Sequence, residues 1–231
     1  MNAEARKAWN EDQKRLTAMI LLPSEHKESV SLLLRQHALL YTADGEADIA
    51  FGFEDLLLKG AREETLRHYP VQSPDTRNSI VWHLWHSARV EDITMNLLVA
   101  GTRQVQDTDG MARRLNIRFL HSGNEMTDAE MAELSAEIGI EGLLAYRQAV
   151  GRRTREIIAS LEAGQFRQKV DAERIKAVRE QGAVTEKAGW LTDYWSGKTI
   201  SGLMLMPATR HHFVHLNKAM RIKSRLQRRR S

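Results

Sequence analysis

The run "SPDTRNSIVWHLWHSARVEDITMNLLVAG", residues 73–101, constrains this chain more than any other stretch. Between Pro74 and Gly101 it holds no helix breaker, and His83, His86, Val90, Ile93 and Leu97 recur at steps of three and four. That is the period of one face of an α-helix, sustained too long for a strand. The helix is expected to start near Asp75 or Thr76 and to stop at Gly101. Three further segments carry the same period. Residues 25–41 have Val30, Leu33, Leu34, His37 and Tyr41; residues 142–162 have Leu143, Tyr146, Val150, Ile157 and Leu161. Residues 201–226 have Met204, Ala208, His211, His215, Ala219 (or Lys218), Ile222 and Leu226. With 77–100, these make four helices long enough to form a bundle.

The rest of the chain supports an all-α reading. Only four prolines and fourteen glycines interrupt 231 residues, and neither a strand alternation nor a repeat is present. A leading helix is expected over 3–20 with Trp9, Leu16 and Ile20 on one side, and Pro23 and Ser24 restart the chain. "TADGEAD" breaks the first bundle segment, and "FEDLLLKGAREETLRHYP" reads as short helices ending at Pro70. Residues 102–126 read as a loop with a single helical turn, Thr127 with Glu130 forms a capping-box signature, and "DAERIKAVREQG" is a short charged helix. "AGWLTDYWSGKT" is an aromatic connector. Pro207 either kinks the last helix or marks the first turn of its regular part. One domain over 1–231 is expected, with the bundle at about 25–226.

Composition excludes several function classes. There is no cysteine, so disulfides, thiolate metal sites and a catalytic thiol are absent. No stretch approaches the roughly 18–20 apolar residues that span a bilayer. The opening "MNAEARKAWNEDQKR" lacks the apolar middle of a signal peptide, and cytoplasm is the expected compartment. The net charge of +4 is concentrated in the tail 221–231, where Arg221, Lys223, Arg225, Arg228, Arg229 and Arg230 have no balancing acid. Such a tail can contact nucleic acid, but it carries no base-reading motif and suits the negative end of a helix dipole. Neither nucleic acid nor membrane is expected as a partner.

The histidines carry the chemical signal. His211 and His215 stand at i and i+4, about 6 Å apart in rise, a spacing at which two imidazoles can share one metal ion. Buried imidazoles need partners, which a metal, a carboxylate or a carbonyl can supply. His83 and His86 lie on the inner side of the second bundle helix, so either can complete a set of three nitrogens. Three protein ligands with an open position is the arrangement of a catalytic zinc, and it also suits nickel, iron or manganese. His37 is expected as a core residue or a support near the open position, while His26, His68 and His121 read as surface or loop residues.

"WHLWHSARVEDITMNLL" with the late "RHHFVHLNKA" resembles the DinB-like (YfiT-like) superfamily of four-helix-bundle proteins. The resemblance implies a bundle of that type, here with extra short helices and long insertions at 102–140 and 163–200. It implies that a divalent metal is held by His86, from a pattern like W-H-x-A-x-x-E, and by His211 and His215 from H-x-x-x-H. His83 and His212 stand one step from these positions and remain alternatives. The resemblance further implies a metal-dependent enzyme acting on a small molecule, either a hydrolase or a transferase using a low-molecular-weight thiol. That thiol must come from a cosubstrate, since the chain has no cysteine. A non-catalytic metal-binding stress or regulatory protein is the alternative. Glu91 is expected to face a neighbouring helix, Arg89 to bind an anion or pair with an acid, and Arg210 to be peripheral. Asp92 and Asn96 are weaker candidates for the same supporting role. The apolar residues of the leading helix and around Trp190, Tyr194 and Trp195 pack within the chain or form a homodimer.

Overall fold

The computed structural model describes residues 3–43, 50–108 and 110–228. Residues 44–48 of "TADGEAD" and the tail cations Arg229 and Arg230 lie outside the described residues. The helices are α1 (Ala3–Met19), α2 (His26–Ala38), α3 (Phe53–Leu58), α4 (Glu63–Arg67) and α5 (Ile80–Asp92). They continue with α6 (Met111–Leu115), α7 (Asp128–Glu137), α8 (Ile140–Ser160), α9 (Ala172–Glu180), α10 (Trp190–Ser196), α11 (Ile200–Leu205) and α12 (His212–Arg228). Two wide π-helical segments extend this set: Ile93–Ala100 prolongs α5, and Met206–His211 joins α11 to α12. Among the described residues there is no strand, only the isolated bridges Ser73–Thr76 and Lys169–Thr199.

Four long helices form the bundle. α2 packs on α8, α8 on α5, and α5 on α12, while the Met206–His211 segment closes back on α2. α1 lies along α2, where Gln36 donates to the Trp9 carbonyl (2.8 Å) and the Trp9 ring stacks on Phe213 at 3.8 Å. α5 begins later than the sequence suggests, because Val71 N–H bonds the Arg77 carbonyl and holds 71–77 as a turn. Ser79 then caps the helix by accepting from Trp82 N–H (3.1 Å). The segment ends at Gly101 in the left-handed region (φ 66°), as expected of a C-terminal glycine.

The sequence stripe on α5 suggests one buried face. Instead, all thirteen of its residues are buried. Its first half enters an apolar cluster with Trp9, Tyr41, Phe53 and Phe213, and its continuation enters a second cluster with Leu16, Ile158, Leu203 and Met204. Arg89, Glu91 and Asp92 fall where the two clusters meet, and each must find partners inside the protein. Arg89 therefore pairs with an acid: it contacts Asp92 (3.2 Å), Tyr146 OH (3.0 Å), Gln104 Oε1 (2.9 Å) and the Leu120 carbonyl (2.6 Å). Asp92 also accepts from Val105 N–H (2.8 Å), Gln106 N–H (3.0 Å), Tyr146 OH (2.7 Å) and Asn96 Nδ2 (2.8 Å). These bonds tie the segment after Gly101 back onto α5.

The last helix departs from a regular α-helix at Pro207, which has no N–H and crowds the preceding turn. The chain answers with the wide Met206–His211 turn. Thr209 Oγ1 donates to the carbonyls of Met204 and Leu205 (2.9 Å each), and Gln13 Nε2 reaches Leu205 from α1 (3.0 Å). The buried stripe beyond it runs through Ala208, His212, Leu216, Ala219 and Ile222. His211 and His215, expected on the innermost stripe, lie instead on its flank and are only partly buried. Farther along, the basic residues dock α12 onto 56–75. Lys223 donates to the Leu57 carbonyl (2.8 Å), Arg221 pairs with Asp75, and Arg225 bonds the Gln72 carbonyl.

Arg89→Ala leaves the buried Asp92 carboxylate without its cation and is expected to cost about 3 kcal/mol or more, read from the urea midpoint. A loss under about 1 kcal/mol contradicts this account of the clamp.

Candidate metal centre

The site forms where α5 and α12 face each other. His86, His211 and His215 each offer a nitrogen, and the three atoms lie within 4.8 Å of one another. Ring centroids are 5.0 Å apart for His86–His211, 4.9 Å for His86–His215 and 4.4 Å for His211–His215. Three rings this close, with no acid among them, make a cluster compatible with a metal ion.

The surroundings of each ring favour that use. His86 Nδ1 lies 2.6 Å from the Ser122 carbonyl. A carbonyl only accepts, so Nδ1 carries the proton and Nε2 keeps its lone pair. Trp82, one turn earlier, stacks on the His86 ring at 4.4 Å and 13° and fixes its plane. His215 Nδ1 lies 2.8 Å from His83 Nδ1, and His83 Nε2 lies 3.1 Å from Thr76 Oγ1. With His215 donating to His83, and His83 donating to Thr76, His215 Nε2 is left as a lone pair. His211 Nδ1 is buried without a hydrogen-bond partner. An orphaned imidazole nitrogen is costly inside a protein. The residues present therefore fit a divalent ion.

The electrostatics point the same way. Burial pushes His83 down to about 3, with nearby His86 adding to the effect. Burial pushes His86 down to about 4 against a partial offset from the Ser122 carbonyl. His211 and His215 are also held well below the ordinary value, first by burial and then by the neighbouring imidazoles. All four rings are thus neutral at pH 7, the state in which imidazole binds metal.

The other singled-out residues separate clearly. His212 is fully buried and turned away from the cluster. Its Nε2 sits 2.6 Å from Glu91 Oε2, although poorly aligned for a straight hydrogen bond. Glu91 also accepts from His37 Nε2 (2.8 Å) and Tyr41 OH (2.8 Å). Burial works to raise the Glu91 pKa, but His37 and His212 outweigh it and hold the group well below the carboxylate range. So His37 and His212 form a buried anchor below the cluster. Arg210 is peripheral and bonds Asn10 (2.6 Å). His121, expected on the surface or in a loop, lies in a loop with its Nδ1 accepting from Gly123 N–H (3.0 Å) and its ring near Trp85 and Phe119.

Sequence reasoning did not find the Ser122 carbonyl, because a backbone atom leaves no residue signature. Gly123 beside it is required: φ is +85°, and a Cβ there would lie 2.4 Å from the Trp85 ring and 3.4 Å from His86 Nδ1. Trp82 and His86 stand at i, i+4, a spacing that could have signalled their stack. His83 stood among the rival ligands, and the structure shows it bonded to His215.

A pH dependence follows for the metal-free protein. His83 and His86 have folded values below their ordinary 6.5, so the unfolded chain binds more protons below that point. Stability is therefore expected to fall from about pH 6.5 toward pH 4, by up to about 1.4 kcal/mol per pH unit for each such group. Denaturant titrations at pH 7 and pH 5 measure this, and equal midpoints contradict it.

A family model described as the DinB superfamily matches residues 55–192. The match includes His86, all of 102–140 and most of 163–200, and it ends before His211. No curated protein matches the chain significantly. With more than half its residues matched and an all-helical architecture, the chain belongs to the DinB superfamily.

Proposed function

We propose that His86, His211 and His215 bind one divalent metal ion (zinc, nickel, iron or manganese) and that the protein is a metal-dependent enzyme acting on a small molecule there. The observation that carries this reading is the convergence of three neutral imidazoles, two with their outer nitrogens engaged and one with an orphaned nitrogen. Three protein ligands leave an open position, and the partial exposure of His211 and His215 puts that position within reach of a substrate. These features favour a catalytic centre over a closed structural one. A divalent ion supplies Lewis acidity, lowering the pKa of a thiol or water that enters the open position.

The reaction would be either transfer to a low-molecular-weight thiol or hydrolysis. Glu91, the carboxylate singled out beside the cluster, is held by His37, Tyr41 and His212 and is not free to act as a general base. A thiol or a water acidified at the ion would need no such base. The chain's own residues orient the ligands: Ser122 and Trp82 fix His86, and His83 fixes His215.

Protein purified without a histidine tag is expected to hold about one divalent ion per chain by elemental mass spectrometry. His86→Ala and His215→Ala should each lose it while circular dichroism retains the helix content; full occupancy in both variants contradicts the proposal. His83→Gln should weaken cobalt(II) affinity about 10–100-fold without abolishing binding, the scale for removing a ligand's outer hydrogen bond. An unchanged affinity removes His83 from this role.

A further inference from the structure

We propose that the aromatic cavity beside His211 is a substrate subsite that takes the body of a small, uncharged aromatic molecule. The cavity holds about 200 Å³ and is lined by Val90, Trp190, Tyr194, Trp195, Met206 and His211, with Asn124 at one side. No lysine, arginine or carboxylate lines it. Val90 stands one turn beyond His86, and His211 belongs to the cluster, so a molecule seated here has one end against the His211 edge of the three-imidazole cluster. Two wall rings are held in place before any ligand arrives. Trp190 Nε1 donates to Glu125 Oε1 (3.2 Å), and the Lys198 ammonium sits 4.1 Å over the Tyr194 ring.

The wall leaves much apolar surface in water: Trp190 is 51% exposed, Tyr194 41% and Met206 38%. Large apolar groups around a hollow mark a binding site. The volume lies below the roughly 300–1,000 Å³ of sites for drug-sized ligands and suits one ring with a short arm. The apolar wall favours an uncharged body, because a charge desolvated there finds no partner. Three exposed side chains around a concavity fall short of the roughly 800 Å² per partner of a stable protein interface, which disfavours a second copy as the occupant.

The proposal rests on the metal reading only for what the reactive end of the molecule meets. The probe is phenylmethanethiol, titrated by calorimetry into metal-free and cobalt(II)-loaded protein. Ethanethiol and the anionic 2-mercaptoethanesulfonate serve as comparisons. Phenylmethanethiol is expected to bind about tenfold or more tightly than either in both forms, and more tightly still with cobalt. Trp190→Ala and Tyr194→Ala should each remove that preference while leaving cobalt stoichiometry unchanged. Equal binding of the three thiols, preference for the anionic one, or variants that bind like wild type overturn the proposal. So does a dimer, seen by sedimentation, that Trp190→Ala dissociates. A protein that takes no cobalt yet shows Trp190-dependent binding contradicts the metal reading and supports this subsite. One that takes cobalt on the histidines without preferring phenylmethanethiol does the reverse.

Discussion

One buried carboxylate sets the phase of three helices. Glu91 on α5 has no exposed surface, and an ionised group so placed costs several kcal/mol unless it is closely paired. His37 and, beyond the end of α2, Tyr41 approach it from one side, and His212 approaches from α12. Rotating either helix would strand the charge. With His212 held inward, successive residues on α12 turn by about 100°, so His211 and His215 must lie to one side of it. That side faces His86. The anchor is thus the reason the other three imidazoles converge, although none of them touches Glu91.

Two further devices shape the cluster. The wide turn at Met206–His211 accommodates Pro207 and resets the rotation of everything after it, and such turns often sit at functional sites. Without it, the stripe that starts at Met204 would run on into His211 and bury it. The other device is the clamp of Arg89 and Asp92, which draws the segment after α5 back across its own helix. Its bond to the Leu120 carbonyl sets the chain just ahead of Ser122, whose carbonyl fixes the proton on His86.

Much of this was legible in the residues. The helical period located the four bundle helices, and Thr127 with Glu130 forms the capping box that their spacing suggested. Gly101 ends the longest segment, and His86, His211 and His215 come together. The failures share one cause: periodicity reports a face relative to a single core. α5 is enclosed on every side, so Arg89 and Glu91, expected at contacts with a neighbouring helix or an acid, lie with Asp92 in a fully interior polar layer that a one-faced stripe does not reveal. The phase of α12 was misjudged because a π-helical turn breaks the period that defined the stripe. His212, left as an alternative ligand, carries the buried anchor instead. The cavity is assembled from residues as far apart as Val90, Trp190 and His211, a juxtaposition that spacing along the chain does not encode.

A cluster of three neutral imidazoles beside an aromatic hollow forms a coherent chemical unit. The histidines would hold the ion, their outer bonds would orient them, and the hollow would select what reaches the open position. X-ray absorption at the metal edge of the zinc-loaded protein tests the central element of this account most directly. The expected spectrum shows about three imidazole nitrogens at about 2.0–2.1 Å, with the outer-ring scattering of histidine and a remaining light-atom position. Zinc coordinated only by oxygen, or a spectrum that His211→Ala leaves unchanged, would contradict it.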